Sequence, residues 1–379
     1  MTVTPEGGAS PVTTTFVGLE SPGAGRAGAG GHPCQGLWHA PGARVAKAAF
    51  VATHYEVDFA EHYLAGPLAE RGFGFLGWNT RYRGNGAYFN LGSAVADIGV
   101  GVRWIRRVAG VDTVVLLGNS GGASLMGAYQ SHALGQPAPP TGRSPTGDLA
   151  AADLEAADLF VSLNAHRGRP DVLTSWLDPS VTDESDPLSV DPALDMFAAT
   201  NGPPYEEEFL ARYRGAQEER NHRITDWAEA ELDRLGAAGA YDRVFNVHRT
   251  WADPRFLDLA IDPSDRRVGC YFGDPRAANY GPFGLASTCT LRSWLSMWSL
   301  RRSSCRAEPH LARITQPALV VQSTQDQGCY PSDARAIHAA LGSADKTLQT
   351  VAGDHYLASP AGARAAMADL IAGWVEDRV

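Results

Sequence analysis

Residues 114–123 have the sequence Val114-Val115-Leu116-Leu117-Gly118-Asn119-Ser120-Gly121-Gly122-Ala123. Four apolar residues, two of them β-branched types, predict a buried strand before the glycines. Residues 123–129 continue with apolar side chains at helical spacing and predict a helix. Ser120 therefore stands in a sharp turn between a strand and a helix, the context of a nucleophilic serine in a G-x-S-x-G pattern. Gly118 and Gly122 would let the helix pass close to the strand.

Strands and helices alternate on both sides of this turn. The predicted strands are residues 13–19, 35–39, 46–53, 74–79, 114–117, 157–163, 317–323 and 347–351. The predicted helices are residues 58–71, 94–108, 123–129, 331–341 and 360–375. Strands that alternate with helices must be largely parallel, with the helices covering both faces of the sheet. The sequence therefore predicts an α/β fold with a doubly wound, mostly parallel sheet.

The alternation stops after Leu163 and resumes near residue 311. The segment between contains a long predicted helix within 203–235, a stretch rich in aromatics and prolines at 240–285 and a short apolar helix at 292–300. Such an irregular, mainly helical insertion after a core strand is typical of a cap or lid. We therefore expect four parts, namely first strands with a Gly-rich loop (1–45), the first half of the core (46–163), the cap (164–310) and the second half of the core (311–379).

The composition excludes several classes of function. The chain has 379 residues with a formal net charge of −10, which argues against nucleic acid or an anionic membrane as a partner. No apolar run approaches 18 residues and the first residues lack the pattern of a signal peptide, so we expect a cytoplasmic protein. The five cysteines form no C-x-x-C pair and no cluster with zinc-ligand spacing, which predicts reduced thiols, no metal and no cofactor.

A serine hydroxyl needs a base to take its proton, and the base needs an acid that holds its tautomer. These partners are expected beyond later strands, in the order Ser, acid, His. Asp326 lies three residues beyond the strand predicted at 317–323, and His355 follows the last predicted strand. His166 also ends a core strand and is the alternative base, although it precedes the cap. Asp354, next to His355, is expected to be a surface acid.

These motifs, in this order, resemble those of the α/β-hydrolase superfamily, and in particular its serine esterase and lipase branch. The resemblance covers about residues 46–163 and 311–379. It implies that Ser120 is the nucleophile, that His355 is the general base and then the acid, and that Asp326 is the orienting carboxylate.

An oxyanion hole needs two backbone N–H donors. We expect them from Gly121 and from Tyr55, in the loop where the superfamily often carries His-Gly and this chain carries His54-Tyr55. The Tyr55 ring could instead close the pocket, or its hydroxyl could face it. The loop 79–86 resembles the D-x-R-G-x-G loop of the superfamily with Asn79 in place of the acid, and its arginines are expected to be structural.

The cap is expected to select the substrate. Trp294, Met297 and Trp298 fall on neighbouring turns of one predicted helix, where they either pack inside the cap or line an apolar pocket. We predict Trp294 and Trp298, together with His54 and His166, as substrate-binding residues.

The predicted function is that of a serine hydrolase, which cleaves a carboxylic ester of a hydrophobic small molecule through an acyl-enzyme. The same triad could serve a thioesterase, an acyltransferase or a hydrolase of carbon–carbon bonds. A binding protein with an idle triad is the alternative outside enzymes. The oligomeric state stays open, and a homo-oligomer is one outcome.

Overall fold

The computed structural model describes residues 12–22, 31–42, 45–136 and 153–379. Most of the glycine-rich loop predicted near residues 23–31 therefore lies outside the described residues, as do residues 1–11, 43–44 and 137–152. All five cysteines are described, and each is a buried free thiol.

The described residues form one eight-stranded sheet. Its strands are β1 (Thr13–Leu19), β2 (Cys34–Ala40), β3 (Ala49–Ala52), β4 (Gly74–Asn79), β5 (Val114–Asn119), β6 (Leu159–Leu163), β9 (Ala318–Ser323) and β10 (Lys346–Val351), and a separate antiparallel pair consists of β7 (Val244–Asn246) and β8 (Thr288–Thr290). The spatial order is β1-β2-β4-β3-β5-β6-β9-β10. In this described sheet β2 pairs antiparallel with both β1 and β4, while the pairs from β4 to β10 are parallel. The prediction of a mostly parallel sheet is confirmed.

Helices cover both faces of this sheet. The core helices are α1 (Ala65–Glu70), α2 (Leu91–Arg107), α3 (Gly122–Ala133), α8 (Glu308–Leu311), α9 (Pro331–Ala340) and α10 (Ala363–Glu376). Apolar residues of α2, α3, α8 and α9 pack on one face, and those of α1 and α10 pack on the other. Every residue of β3, β4, β5, β6 and β9 is buried as a result.

The helix predicted at 58–71 is wrong over its first half, because α1 begins only at Ala65. The backbone N–H of Phe59 donates to Asn79 Oδ1 at 2.8 Å, and that of Leu64 donates to His62 Nδ1 at 3.2 Å. These side-chain acceptors compete with helical hydrogen bonds and hold residues 58–64 in turns against the end of β4. The strand predicted at 46–53 is likewise shorter, since β3 spans Ala49–Ala52.

The inserted segment 164–310 follows β6 and ends as the core resumes. It contains α4 (Arg169–Trp176), α5 (Glu207–Ala237), α6 (Pro275–Asn279), the pair β7–β8, and α7 (Leu291–Ser293), which continues as a π-helical turn over Trp294–Trp298. The helix α5 is continuous and lies where the sequence predicts a long helix. Within the ranges that the structure describes, no helix is both long and apolar enough to cross a membrane.

Candidate active site

Ser120 lies at the tip of the turn between β5 and α3. Its φ of +56° is a conformation that residues other than glycine rarely adopt. The backbone N–H of Ser120 donates to the carbonyl of Leu163 at 3.0 Å, and the side chain is partly exposed. A Cβ at Gly118 would overlap the Cα of Ala123, and one at Gly122 would overlap the carbonyl of Thr53. The local geometry is that of a nucleophile elbow, which holds the serine out from a tightly packed turn.

Asp326 and His355 meet at the same edge of the sheet. His355 Nδ1 lies 2.6 Å from Asp326 Oδ2, and both side chains are buried. Asp326 Oδ1 accepts hydrogen bonds from the backbone N–H groups of Gly328 (2.9 Å) and Cys329 (3.0 Å). Because Oδ2 faces Nδ1 of the imidazole, an Nδ1–H can donate to the carboxylate, which leaves Nε2 on the opposite side of the ring to act as a base. Asp354 instead accepts from the amides of its own turn.

Tyr271 brings a side chain of the inserted segment into this pair, which the sequence did not indicate. Its hydroxyl donates to Asp326 Oδ1 at 2.8 Å. The hydroxyl oxygen of Tyr271 also lies 2.9 Å from His355 Nδ1. The rings of Tyr271 and His355 are 4.6 Å apart between centroids. Burial and then the charge of Asp326 raise the pKa of Tyr271 well above its usual value, so the hydroxyl remains a donor.

Asn164 ties the loop of His355 to the neighbouring strand ends. Its Nδ2 donates to the carbonyl of His355 at 3.2 Å, and its Oδ1 accepts from the N–H of Ser323 at 2.7 Å. The residue is fully buried and has a φ of +44°. Tyr63 adds a second hydrogen bond to the His355 carbonyl, at 3.4 Å. Neither residue is indicated as functional by the sequence pattern.

Ser120 and His355, the predicted nucleophile and base, are not hydrogen-bonded to each other. Within the described residues, Ser120 Oγ makes no hydrogen bond to His355 or to another side chain. Catalytic hydrogen bonds of this kind are often long without substrate and tighten in the complex. The arrangement therefore contains the oriented acid–base pair and an accessible serine at one strand edge.

Three side chains converge on Gly121, the residue after the serine. The ideal Cβ position of Gly121 lies 2.9 Å from His54 Nε2, 3.3 Å from His166 Nε2 and 3.4 Å from Arg169 Cζ. Burial, and then the charge of Arg169, lower the pKa of both histidines, that of His166 to about 3, so both rings are neutral near pH 7. The two histidines predicted to bind substrate thus border the site, and Arg169 joins them without having been predicted.

Tyr55 forms part of the floor of this site. Its hydroxyl and Ser124 Oγ lie 2.9 Å apart, and its ring lies 4.6 Å below the Arg169 guanidinium. The hydroxyl is therefore engaged by Ser124 within the protein. In the described part of the chain, the N–H groups of Tyr55 and Gly121 donate to no protein acceptor, which leaves both backbone donors for an oxyanion.

Solved structures share this architecture. The alpha/beta hydrolase GrgF from Penicillium sp. sh18 matches 96% of this chain and 97% of its own, with a TM-score of 0.50 at 10% identity. This chain has the α/β-hydrolase fold. Est1E from Butyrivibrio proteoclasticus (91% and 93% covered, TM-score 0.48, 9% identity) and a monoacylglycerol lipase from Paleococcus ferrophilus (97% and 99%, 0.45, 12%) are also similar. Neither the family models nor the curated proteins searched give a match.

The two tryptophans predicted to bind substrate lie in different places in the structure. Trp298 is buried with its ring 5.1 Å from the Arg169 guanidinium, so it packs against that side chain. Trp294 is fully buried among inserted residues, donates to Thr225 Oγ1 at 3.0 Å and packs edge-on against Phe245. Its substrate-binding role is therefore corrected to one in the core of the inserted segment.

The loop after β4 uses its polar residues within the protein. Arg81 forms two hydrogen bonds, each of 2.9 Å, with the carboxylate of buried Asp97, and Arg83 pairs with Asp58 at 3.1 Å. Asn79 Nδ2 also donates to Asp58, at 2.6 Å. These contacts give the loop arginines structural partners rather than a place at Ser120.

One cavity reaches the Asp326–His355 pair from the surface. This cavity, of about 260 Å³, is lined by Tyr271, His355 and Tyr356 among others, and it gives an approach to the imidazole. A larger one of about 630 Å³ lies in the inserted segment beside Trp227 and Phe245, away from these residues. Of these two cavities, the smaller one is therefore the one that adjoins the Asp326–His355 pair.

Asp326 and His355, together with Cys329, carry atoms that could bind a metal ion. Ligand atoms of Asp326, Cys329 and His355 lie within 4.8 Å of one another. The carboxylate, however, already accepts hydrogen bonds from protein donors at both oxygens, and burial raises the pKa of the Cys329 thiol well above its usual value. Hydrogen bonds within the protein therefore already occupy both oxygens of the Asp326 carboxylate.

Proposed function

We propose that the protein is a serine hydrolase that cleaves a carboxylic ester of a hydrophobic small molecule. The observation that carries this proposal is the joint geometry at one strand edge. A strained and partly exposed Ser120 follows β5 at the carboxyl edge of the parallel strands, the same edge at which the buried His355 Nδ1 lies 2.6 Å from Asp326 Oδ2. Aromatic rings of Tyr55 and Tyr271 border the site and suit the apolar part of a substrate.

The reaction would follow from these positions. His355 Nε2 takes the proton of Ser120 as Oγ attacks the ester carbonyl, while Asp326 stabilises the imidazolium through Nδ1–H. The N–H groups of Gly121 and Tyr55 stabilise the oxyanion of the tetrahedral intermediate. Collapse of this intermediate expels the alcohol, which receives the proton from His355. A water molecule then releases the acid and regenerates the serine.

A fluorophosphonate probe tests the proposal directly. We expect one covalent adduct per chain on the native protein, mapped by peptide mass spectrometry to the peptide that carries Ser120, because only an activated serine attacks the phosphorus. Ser124, four residues on and fully buried, serves as the internal control and should stay unmodified. A panel of 4-nitrophenyl esters and thioesters should then show turnover. An unlabelled native chain, or labelling only after denaturation, contradicts the proposal.

Tyr271 is expected to act as a positioning residue for this reaction. In Tyr271→Phe, Asp326 loses a donor that lies 2.8 Å away, and we expect kcat to fall about tenfold with KM nearly unchanged, because hydrogen bonds to charged groups contribute about 1.5–3 kcal/mol. Steady-state kinetics on a 4-nitrophenyl ester provide the measurement. The matched control is Tyr356→Phe, whose half-exposed ring also contacts His355 and whose kcat should stay within about threefold. Equal effects of both variants would refute the role.

A further inference from the structure

Three side chains with hydrogen-bond donors, those of His54, His166 and Arg169, lie around Gly121. His54 Nδ1 accepts from the N–H of Val57 at 3.4 Å, and His166 Nδ1 accepts from the N–H of Gly168 at 3.2 Å. A neutral imidazole that accepts at Nδ1 carries its proton on Nε2. Both Nε2 atoms lie within 3.3 Å of the ideal Cβ position of Gly121, so both rings place a protonated nitrogen next to this residue.

Arg169 adds a positive charge whose compensation is incomplete. The residue is 3% exposed, and its Nη2 lies 3.3 Å from Glu56 Oε1. The side chain of Glu56 is itself one-third exposed. Nε is buried and has no hydrogen-bond partner among the described residues. Burial of a cation with an unsatisfied N–H is unfavourable, and an anion that binds there would relieve it.

The donors lie beside the oxyanion hole rather than in it. They surround Gly121 on the side of its Cα where a side chain would project, which diverges from its backbone N–H. A second acceptor, carried by the substrate in its ground state, is therefore what these groups fit. A carboxylate has two oxygens in one plane, of which one could accept from Arg169 Nε and the other from a histidine Nε2–H.

We propose that Arg169, His54 and His166 form a carboxylate-binding subsite, so that the substrate is a small ester that also carries a carboxylate. This inference rests on the proposed function, because it names the substrate class of the Ser120 reaction. The aromatic rings of Tyr55 and Trp298, which lie 4.6 and 5.1 Å from the guanidinium, hold the charge in place without neutralising it.

The test compares esters that differ only in the distal charge. 4-Nitrophenyl hemiglutarate and 4-nitrophenyl valerate have the same chain length, and hemisuccinate with butyrate forms a shorter pair. We expect the wild type to favour the charged ester in kcat/KM by about tenfold or more. In Arg169→Gln, kcat/KM for the charged ester should fall about 10- to 100-fold, while that for the neutral ester changes less than about threefold.

Two further variants distinguish loss of the carboxylate subsite from a general folding defect. Arg167→Gln removes the same charge two residues earlier, where the guanidinium pairs with Glu308 in a half-exposed position, and should leave the ester preference unchanged. Glu56→Gln removes the carboxylate that competes for Arg169 and should lower KM for the charged ester about two- to fivefold. Thermal unfolding of each variant confirms that the compared proteins are folded.

Fluorophosphonate labelling separates the two hypotheses. If Ser120 is labelled in the wild type but neither ester is preferred, or if Arg169→Gln lowers both esters equally, the subsite is refuted and the hydrolase proposal stands. If the native protein is not labelled and turns over neither ester, the proposed function itself is refuted. Preference for the charged ester, lost in Arg169→Gln and kept in Arg167→Gln, supports the subsite.

Discussion

Replacement of Ser120 by alanine is expected to lower kcat on 4-nitrophenyl esters by roughly 10⁶-fold, the scale on which removal of a triad serine acts. The methyl side chain has no oxygen to attack the carbonyl, whereas His355, Asp326 and the backbone donors remain in place. The variant should still accelerate hydrolysis about 10³- to 10⁴-fold over the uncatalysed reaction in water, because substrate binding and the oxyanion donors remain.

The fold should tolerate this change. Alanine and serine carry similar strain at a φ of +56°, and the Ser120 side chain makes no hydrogen bond in the described part of the chain. The melting temperature should therefore stay close to that of the wild type. Ser124→Ala is the control, because Ser124 is buried, lies 2.9 Å from the Tyr55 hydroxyl and should affect kcat less than about tenfold. Turnover by Ser120→Ala above about one-thousandth of wild type would contradict a nucleophilic role.

Replacement of Asp326 by asparagine is expected to lower kcat by about 10⁴-fold with little change in KM. Asparagine can keep its amide oxygen at Oδ1, where it still accepts from Tyr271 and from the N–H groups of Gly328 and Cys329. Its Nδ2 then replaces Oδ2 and faces His355 Nδ1, which lies 2.6 Å from Oδ2 in the native protein. An N–H against Nδ1 favours the tautomer with its proton on Nε2, which cannot take the serine proton.

The matched control for this variant is Asp354→Asn. Asp354 adjoins His355 in the chain but accepts only from the amides of Tyr356 and Ala358 among the described contacts of its side chain. Its replacement should therefore change kcat less than about tenfold. The measurement is kcat over a pH series at saturating ester, with the fraction of folded chain checked by circular dichroism. Equal loss in both variants would assign the effect to the loop and not to the orientation of the imidazole.

The elements that the sequence predicted well are those governed by short-range patterns. The strand before Ser120 and its glycines follow from local sterics, since the turn forces small residues at Gly118 and Gly122. Asp326 and His355 could be placed because the carboxyl ends of parallel strands meet at one edge, and β9 and β10 are neighbours in the sheet. The order of the elements was therefore enough to bring these two side chains close together.

Other parts of the site depend on contacts that no periodicity records. Tyr271 bonds to Asp326 across 55 residues from an irregular stretch, and the aromatic composition there does not distinguish it from its neighbours. Trp294 was predicted to line the pocket, yet its indole faces Thr225, because a helix buried on all sides has no single face that the sequence can assign. The helix start predicted at 58 failed for a similar reason, as Asn79 takes the N–H of Phe59.

The sequence by itself determined the α/β alternation, the serine turn and the order of the three triad candidates, since each depends on local steric and hydrophobic patterns. Tertiary structure alone decided which side chains surround them. Arg169, His54 and His166 come from the loops after β3 and β6 and from the start of α4, and they converge beside Gly121 only when the sheet is assembled. Burial, and then the charge of Arg169, lower the pKa of both histidines and keep their rings neutral near pH 7, because removal from water disfavours the imidazolium.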